Sequence, residues 1–424
     1  MNRFKTLKVT NWRQFRSVNV EFHPRATVIV GANGSGKTSL LNILSQQIGW
    51  APGFVGTPTV DEETGEMRYL SGFKEEEPDE DNRIVSRGSV AGVDRIGSLT
   101  YETGDEVGLY APVEDAIFHV SSPGHWVPGI YITSHRPAYF YQPVNQIPTK
   151  VQANEVLLNQ YLANLRNFHQ PFSGKVRSPS FTLKEALISL ATFGYGNQAV
   201  KANREARETF EGFSDTLEKV LPASLEFHRL AIRMPEVVLE TGTGDFSLDA
   251  ASGGMAALID VAWQIYMRSR LDKMFTVLID EPENHLHPSL QRALLPGLVK
   301  AFPQAQFVAA THNPFVVTSV QESNVVVLDF VDRRVESKQL AGVDRSATAN
   351  QILVDVLGVP FPAPLWVELE LNRIVASVQG KELTAEILAG LRTDLKSVGM
   401  GSLFPEVIDR VLPADNGAGE GRSK

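Results

Sequence analysis

The chain has 424 residues, enough for two or three domains of ordinary size or for one large core with insertions. Its 40 basic and 49 acidic side chains leave a formal charge of −9, which argues against a protein that coats nucleic acid mainly by its net charge. The absence of cysteine excludes disulfide scaffolds, cysteine-bearing metal sites and thiol catalysis. No apolar run approaches the roughly 20 residues that cross a bilayer, so we expect a cytoplasmic protein without a membrane partner.

The first 50 residues predict a hairpin, a buried strand and a helix. Apolar side chains alternate around Leu7 and around Val20, as in two paired strands with one buried face. Residues 27–30 form an apolar run that Gly31 ends, which is typical of a buried parallel strand. Residues 38–47 then have the apolar spacing of a helix.

The middle of the chain predicts a β-rich segment followed by helices. Short β-prone pieces between Gly-, Pro- and Thr-rich turns predict an antiparallel meander within residues 51–150. Its acidic run at 75–81 is expected to be a solvated loop, with an acidic surface that faces a basic partner as the alternative. Residues 151–224 then read mainly as helices.

The second half alternates strands and helices and then becomes helical. The predicted strands are 225–232, 237–240, 275–279, 306–310 and a hairpin of 325–328 with 334–338. The predicted helices are 252–270, 288–301, 347–357, 366–378, 384–397 and 403–411. The polar, Gly-rich tail at 413–424 is expected to be disordered.

Residues 31–38 read GANGSGKT and fit the phosphate-binding pattern G-x-x-x-x-G-K-[ST]. The loop comes directly after a buried strand and directly before a helix, where backbone N–H groups and the helix N-terminus can surround a phosphate. Lys37 is expected to reach the β- and γ-phosphates, and Thr38 to ligate Mg²⁺. The pattern therefore predicts ATP and Mg²⁺ as ligands, with these binding residues: Asn33, Gly34, Ser35, Gly36, Lys37, Thr38 and Ser39.

Two later strands are expected to end in catalytic side chains. The apolar run 275–279 ends at Asp280, predicted to hold Mg²⁺, and at Glu281, predicted to polarise the attacking water. The run 306–310 is followed by Thr311 and His312. His312 is expected to contact the γ-phosphate, and a simple capping role in its loop is the alternative.

A second anion-binding helix start is expected at Ser252, Gly253 and Gly254, which precede a long helix. The order of the motifs along the chain, from the phosphate loop to His312, resembles the ABC-type ATPase heads of the SMC, RecF and OLD kind over about residues 1–330. The resemblance implies that Ser252, Gly253 and Gly254 act on the nucleotide of another copy, so that the chain forms a homodimer or a higher homo-oligomer. Met255 stands where such signatures carry Gln or Glu.

The resemblance also implies an α/β fold, a P-loop ABC-type ATPase head with an antiparallel β insertion, a helical insertion and C-terminal helices. The implied divisions are an ATPase core of 1–50 and 225–345, a β insertion of 51–150 that completes the nucleotide-binding lobe, a helical insertion of 151–224, a helical region of 346–412 and a tail of 413–424. A glutamine that senses Mg²⁺ is expected after the strand at 129–132. Gln142 is preferred over Gln146 for that role.

Residues 280–288, DEPENHLHP, look much like OLD-type and related defence ATPases, including the ATPase subunits of Septu, PARIS and retron-associated systems. The resemblance implies that His285 and His287 lie in an intersubunit loop, and a metal-binding pair is the alternative. No nuclease pattern was recognised in the last 80 residues. The expected function is therefore a stand-alone ATPase that regulates a separate effector protein, a nuclease or a toxin, in anti-phage defence.

Two other functions are compatible with the same motifs. One is a DNA-repair ATPase similar to RecF, which would clamp DNA. Residues 150–235 favour it mildly, because 11 basic minus 8 acidic side chains give +3 there, with Lys201, Arg204 and Arg207 as test positions. The other is the cytosolic motor of a membrane transporter, which the long insertions disfavour.

Overall fold

The computed structural model describes residues 2–60, 64–72, 92–168, 177–317, 319–340, 349–355, 365–378 and 384–398, with the single residues 357, 401, 404 and 408. The acidic run at 75–81, the tail at 413–424 and most of the helix predicted at 403–411 lie outside the described residues. The chain divides into two compact units, residues 1–352 and 353–424.

The elements follow the predicted alternation closely. The strands are β1 (Phe4–Trp12), β2 (Phe15–Glu21), β3 (Ala26–Gly31), β4 (Phe54–Val55), β5 (Thr57–Val60), β6 (Met67–Leu70), β7 (Val93–Tyr101), β8 (Glu106–Pro112), β9 (Ile117–Phe118), β10 (Gly129–Ile132), β11 (Phe227–Arg233), β12 (Glu236–Thr241), β13 (Phe246–Ser247), β14 (Phe275–Asp280), β15 (Ala305–Thr311), β16 (Asn324–Val331) and β17 (Arg334–Gln339). The helices are α1 (Lys37–Gln46), α2 (Asn154–Phe168), α3 (Pro179–Tyr195), α4 (Arg204–Val220), α5 (Gly253–Ser269), α6 (Pro288–Ala301), α7 (Pro314–Val317), α8 (Ala349–Asp355), α9 (Leu365–Val378) and α10 (Ala385–Ser397).

A ten-stranded sheet organises the first unit, in the order β10-β14-β15-β3-β16-β17-β2-β1-β7-β8. Strands β10, β14, β15, β3 and β16 run parallel to one another. β17 pairs antiparallel with β16 and parallel with β2, and β2, β1, β7 and β8 then pair antiparallel in succession. Every residue of β3, β14 and β15 is buried, because these strands have neighbours on both sides and are covered on both faces. This arrangement confirms the predicted α/β class.

The register of the parallel strands brings three strand ends to one edge of the sheet. Asp280 pairs with Ala310, and Thr311 pairs with Val30, one residue before the end of β3. Open parallel sheets bind their ligands outside such carboxyl ends. The segments that follow β3, β14 and β15 therefore surround one place.

Residues in the region predicted as a β insertion extend the central sheet. β7 pairs with β1, Leu99 opposite Leu7, and β8 pairs with β7. Two small ribbons, β4 with β9 and β5 with β6, flank this extension. β13, which the sequence did not predict, completes a three-stranded sheet with β11 and β12.

Helices cover the parallel part of the sheet. α1 contacts β3, β14 and β15, and α5 contacts β10 and β14. The core beneath α1 combines side chains from its buried stripe with sheet residues, among them Leu40, Leu44, Ile29, Leu278 and Val308. Among the described residues, every helix is too short or too polar to span a lipid bilayer.

In the second unit, α9 and α10 pack against each other. Their buried apolar side chains form a small core of their own: Val367, Leu371, Ile374, Leu391 and Leu395. Trp366 and Leu369, on the other side of α9, are each about three-fifths exposed.

Candidate functional site

The loop of residues 31–38 has the backbone that a phosphate-binding loop requires. Gly34 and Gly36 have φ values of 83° and 92°, in the left-handed region where a side chain is strained. A Cβ on Gly31 would lie 2.6 Å from the carbonyl oxygen of Leu328, so the end of β3 tolerates no side chain. Helix α1 then begins at Lys37 with Gly36 as its N-cap. Its N-terminus therefore points into the loop.

Lys37 is buried, and its ammonium lies within the loop. Its Nζ donates to the carbonyl oxygens of Gly31 at 2.9 Å and of Ala32 at 3.0 Å. Burial lowers the pKa of Lys37, and the charges of Asp280 and Glu281 oppose this shift. The ammonium is thus the one cation inside the loop itself, in reach of a phosphate bound there.

Thr38 connects the phosphate loop to β14. Its Oγ1 donates to Oδ2 of Asp280 at 2.8 Å. The other carboxylate oxygen of Asp280, Oδ1, is buried and has no hydrogen-bond partner among the described residues. Burial raises the pKa of Asp280, and the nearby charge of Glu281 raises it further. The hydroxyl of Thr38 and the carboxylate of Asp280, whose Oδ1 is buried and unpaired within the described part of the chain, make a set of oxygen donors that fits Mg²⁺.

Glu281 is held from two sides. Its Oε1 lies 3.2 Å from Nδ1 of His312, and its Oε2 accepts a hydrogen bond of 2.8 Å from Nδ2 of Asn284. The same amide group donates to the carbonyl oxygen of Ser134 at 3.1 Å. Glu281 has a φ of 46°, an uncommon conformation for a residue with a side chain. The carboxylate therefore has a defined direction at the end of β14.

Sequence reasoning missed the residues that support this carboxylate. Asn284 and Glu283 were seen only as part of a family-like segment. Thr311 donates through its hydroxyl to Oε1 of Glu283. Glu283 is buried, and this burial raises the pKa of its carboxyl group. Nη2 of Arg136 donates to the carbonyl oxygens of Asp280 and Glu281. The available signal for Thr311 was a polar residue at the end of a buried strand, and for Arg136 a charged residue in the segment that follows β10.

The Ser252 segment forms the start of α5. Ser252 is its N-cap and is exposed, and its side chain makes no capping hydrogen bond. A Cβ on Gly254 would lie 2.8 Å from the carbonyl oxygen of His285, whereas one on Gly253 would meet nothing within 4 Å. No hydrogen bond or ion pair described in the structure joins Ser252 to residues 31–38 of the same chain. Action on the nucleotide of another copy stays a prediction.

His287 has a local structural role. Its Nδ1 accepts from the backbone N–H of Ser289, which makes it the N-cap of α6. His285 has a φ of 66° in the turn that faces Gly254. The intersubunit position of this loop stays a prediction.

The described hydrogen bonds of Gln142 are made with other residues than the predicted Mg²⁺ residues. Its Oε1 accepts from the backbone N–H of Ser178 at 2.8 Å, and its backbone N–H donates to Oδ2 of Asp249 at 3.3 Å. Among the described contacts of Gln142, none involves Thr38 or Asp280. Gln146 is exposed. The residue that follows β10 and does approach Asp280 is Arg136, so the preference for Gln142 as an Mg²⁺ residue has no support in these contacts.

The comparison with protein families agrees with this geometry. Residues 26–318 match the family described as "AAA domain, putative AbiEii toxin, Type IV TA system". The chain belongs to this AAA-domain family. Residues 3–47 also match a family described as "AAA ATPase domain". The matched residues contain the phosphate loop, the acidic pair and His312, so this family assignment covers the whole candidate site.

Curated relatives of this AAA-domain protein include a retron ATPase and a Septu protein. It is 32% identical over 95 residues to "Retron Vc95 probable ATPase" of Vibrio cholerae, a match that covers 21% of this chain and 18% of the relative. It is 26% identical over 165 residues to "Septu protein PtuA" of Bacillus thuringiensis, covering 35% of this chain and 42% of the relative. The matches thus span less than half of these relatives. They confirm the resemblance to Septu and retron ATPases.

Solved structures similar to this AAA-domain protein include SMC heads. One is an "SMC head domain from Thermotoga maritima", with 16% identity and a TM-score of 0.39, covering 80% of this chain and 99% of that one. Another is an SMC head bound to the C-winged helix domain of ScpA, with 14% identity and a TM-score of 0.44, covering 80% and 97%.

Proposed function

We propose that this chain binds ATP with Mg²⁺ in the loop of residues 31–38 and hydrolyses it to ADP and phosphate. The observation that carries the proposal is the hydrogen bond between Thr38 and Asp280. It joins a phosphate loop and an acidic strand end at one edge of the sheet. Phosphoryl transfer depends mainly on such positioning and on the stabilisation of charge.

Each side chain then has one part in the reaction. Glu281, oriented by Asn284 and His312, accepts the proton of the attacking water. Lys37 exchanges its contacts with the loop carbonyls for contacts with the β- and γ-phosphates. Thr38 and Asp280 would hold Mg²⁺, and the ion would supply positive charge against the phosphate oxygens.

A second copy of the chain completes the site in this proposal. The first turn of α5 offers free N–H groups beside the exposed Ser252, and a helix N-terminus attracts anions. Within a single chain, the described contacts of Ser252 and of the first turn of α5 do not include the phosphate loop. We therefore propose a homodimer or a higher homo-oligomer in which Ser252, Gly253 and Gly254 close on the γ-phosphate held by the other copy.

The biological role proposed is regulation of a separate effector protein, a nuclease or a toxin, in cytoplasmic anti-phage defence. It rests on the similarity to Septu and retron ATPases. The alternative, a DNA clamp similar to RecF, has no specific support in the structure. Arg204 and Arg207, two of its test positions, face Glu208 at 2.6 Å and Glu211 at 3.8 Å on the same helix, which reduces the free positive charge.

The decisive experiment uses Glu281→Gln, which keeps the shape of the side chain and removes its basicity. We expect ATP to bind, hydrolysis to slow by about 100-fold or more, and the particle mass to rise to that of a dimer or larger assembly with ATP. Adding Ser252→Arg to this variant should leave nucleotide binding intact and keep the protein monomeric. Hydrolysis by Glu281→Gln at the wild-type rate would overturn the assignment of the base.

A further inference from the structure

Arg136 lies next to the acidic strand end, although it comes from a different part of the sheet. β10 and β14 are parallel neighbours, with Ile132 opposite Ile279. The segment that leaves β10 therefore passes beside the segment that leaves β14. Nη2 of Arg136 donates to the carbonyl oxygen of Asp280 at 3.3 Å and to that of Glu281 at 3.4 Å. The guanidinium thus contacts the main chain that carries the predicted base.

The surroundings of Arg136 are acidic and largely withdrawn from water. Burial lowers the pKa of its guanidinium, and four carboxylates act in the opposite direction: Asp260, Asp280, Glu283 and Glu281. Its second terminal nitrogen, Nη1, is buried and has no hydrogen-bond partner among the described residues. A buried charged group with an unsatisfied N–H is costly.

The backbone that Arg136 contacts is itself unusual. Glu281 has a φ of 46°, in the left-handed region that residues with a Cβ rarely occupy. In this conformation its carboxylate contacts both Asn284 and His312. The two carbonyl groups bound by Nη2 belong to Asp280 and Glu281, the residues that define this turn.

We propose that Arg136 is a positioning residue for ATP hydrolysis. It holds the Asp280–Glu281 turn so that the carboxylate of Glu281 points at the attacking water. The inference rests on the proposed role of Glu281 as the base and adds a residue that acts through it. Arg136 does not touch the phosphate loop in any described contact, so its loss should change the rate of the chemical step more than the affinity for nucleotide.

Two variants and one control test this inference. Arg136→Met removes the charge and the donor, and Arg136→Lys keeps a positive charge among the four carboxylates. Arg268→Met is the matched control, because Arg268 is also largely buried and is paired with Asp272 at 2.9 Å, away from the site. We expect kcat to fall about 100-fold in Arg136→Met and about 10-fold in Arg136→Lys. The Kd for ATP should stay within about threefold in both, and kcat of Arg268→Met within about twofold.

Combination with Glu281→Gln separates positioning from a general structural effect. If Arg136 acts through Glu281, Arg136→Lys should not lower the residual single-turnover rate of Glu281→Gln any further. Arg136→Lys carries this test if Arg136→Met does not fold. An unchanged kcat in both Arg136→Lys and Arg136→Met would overturn the inference. So would a loss of rate on Arg136→Lys that is equally large in the wild type and in Glu281→Gln. In either case the assignment of Glu281 as the base would still stand. Glu281→Gln with wild-type hydrolysis would overturn both.

Discussion

Nδ1 of His312 lies 3.2 Å from Oε1 of Glu281, so the ends of two neighbouring parallel strands meet at one carboxylate. The glutamate directly follows β14 and the histidine directly follows β15, and the register between the strands places Asp280 opposite Ala310. The imidazole is nearly half exposed, so the side facing away from Glu281 is open to a ligand. The contact of His312 with Glu281 is described by the structure, and its contact with a γ-phosphate stays a prediction.

His312→Ala is expected to lower kcat about 10-fold and to leave the Kd for ATP nearly unchanged, because it removes a group that orients Glu281. His125→Ala is the control, because His125 is half exposed and its Nε2 lies 3.4 Å from Oδ2 of Asp105, so kcat and stability should both stay close to those of the wild type. Steady-state ATPase assays and thermal melts separate a change in the chemical step from a change in stability. A loss of affinity without a loss of kcat in His312→Ala would contradict the orienting role.

Lys37→Ala is expected to weaken nucleotide binding about 100-fold or more, because the variant has no cation inside the phosphate loop. The measurement is the Kd of a fluorescent ATP analogue. Lys300→Ala removes an exposed lysine from α6 and should bind normally. Equal affinities of the two variants would show that the loop binds without its lysine.

Gly253→Ala and Gly254→Ala should affect different properties, the first ATPase activity and the second stability. A Cβ at Gly254 would lie 2.8 Å from the carbonyl oxygen of His285, so Gly254→Ala should reduce the free energy of unfolding by about 1–3 kcal/mol. Gly253 has open space around its Cβ position, so Gly253→Ala should fold normally. If the start of α5 approaches a nucleotide on another copy, Gly253→Ala should nevertheless lose ATPase activity. Urea unfolding and ATPase assays on both proteins check this, and a fully active Gly253→Ala would contradict the close approach.

Asp260 should make stability depend on pH. The carboxyl group is buried on α5, where it accepts from the hydroxyl of Tyr161 and from Nε2 of Gln264 at 2.9 Å. Burial raises its pKa to about 6, and the hydrogen bond from Tyr161 opposes the shift. The folded state thus binds this proton more tightly than the unfolded state, so stability should fall as pH rises from about 4 to about 6.

Asp260→Asn removes this titration and keeps the shape of the side chain. Between pH 4 and pH 7 the wild type should lose up to about 3 kcal/mol relative to this variant. Urea unfolding at several pH values gives the difference, and Asp94→Asn, at an exposed position, is the control. Parallel stability curves for the wild type and Asp260→Asn would contradict the raised pKa.

Local patterns were sufficient to identify much of the site. The loop of residues 31–38 and the acidic end of β14 combine a fully buried apolar run with polar residues that follow at once, and both features are visible over fewer than a dozen residues. The family resemblance predicted a glutamine after the strand at 129–132, and Gln142 was preferred over Gln146. The residue of this segment that contacts the end of β14 is Arg136. Which side chain turns toward β14 depends on the tertiary structure, and the local pattern contains no information about it.

By itself, the sequence determined the α/β class, the phosphate loop and the identity of the acidic pair. The reason is that the periodicity of apolar residues and the spacing of residues within a motif are local properties of the chain. Only the tertiary structure decided that Arg136 contacts the carbonyl groups of Asp280 and Glu281, that Asn284 and His312 share the carboxylate of Glu281, and that β7 and β8 extend the central sheet. These relationships join residues that are distant along the chain, or depend on the turn after a strand. Strand order and register set them, and a pattern of apolar and polar residues does not encode either one.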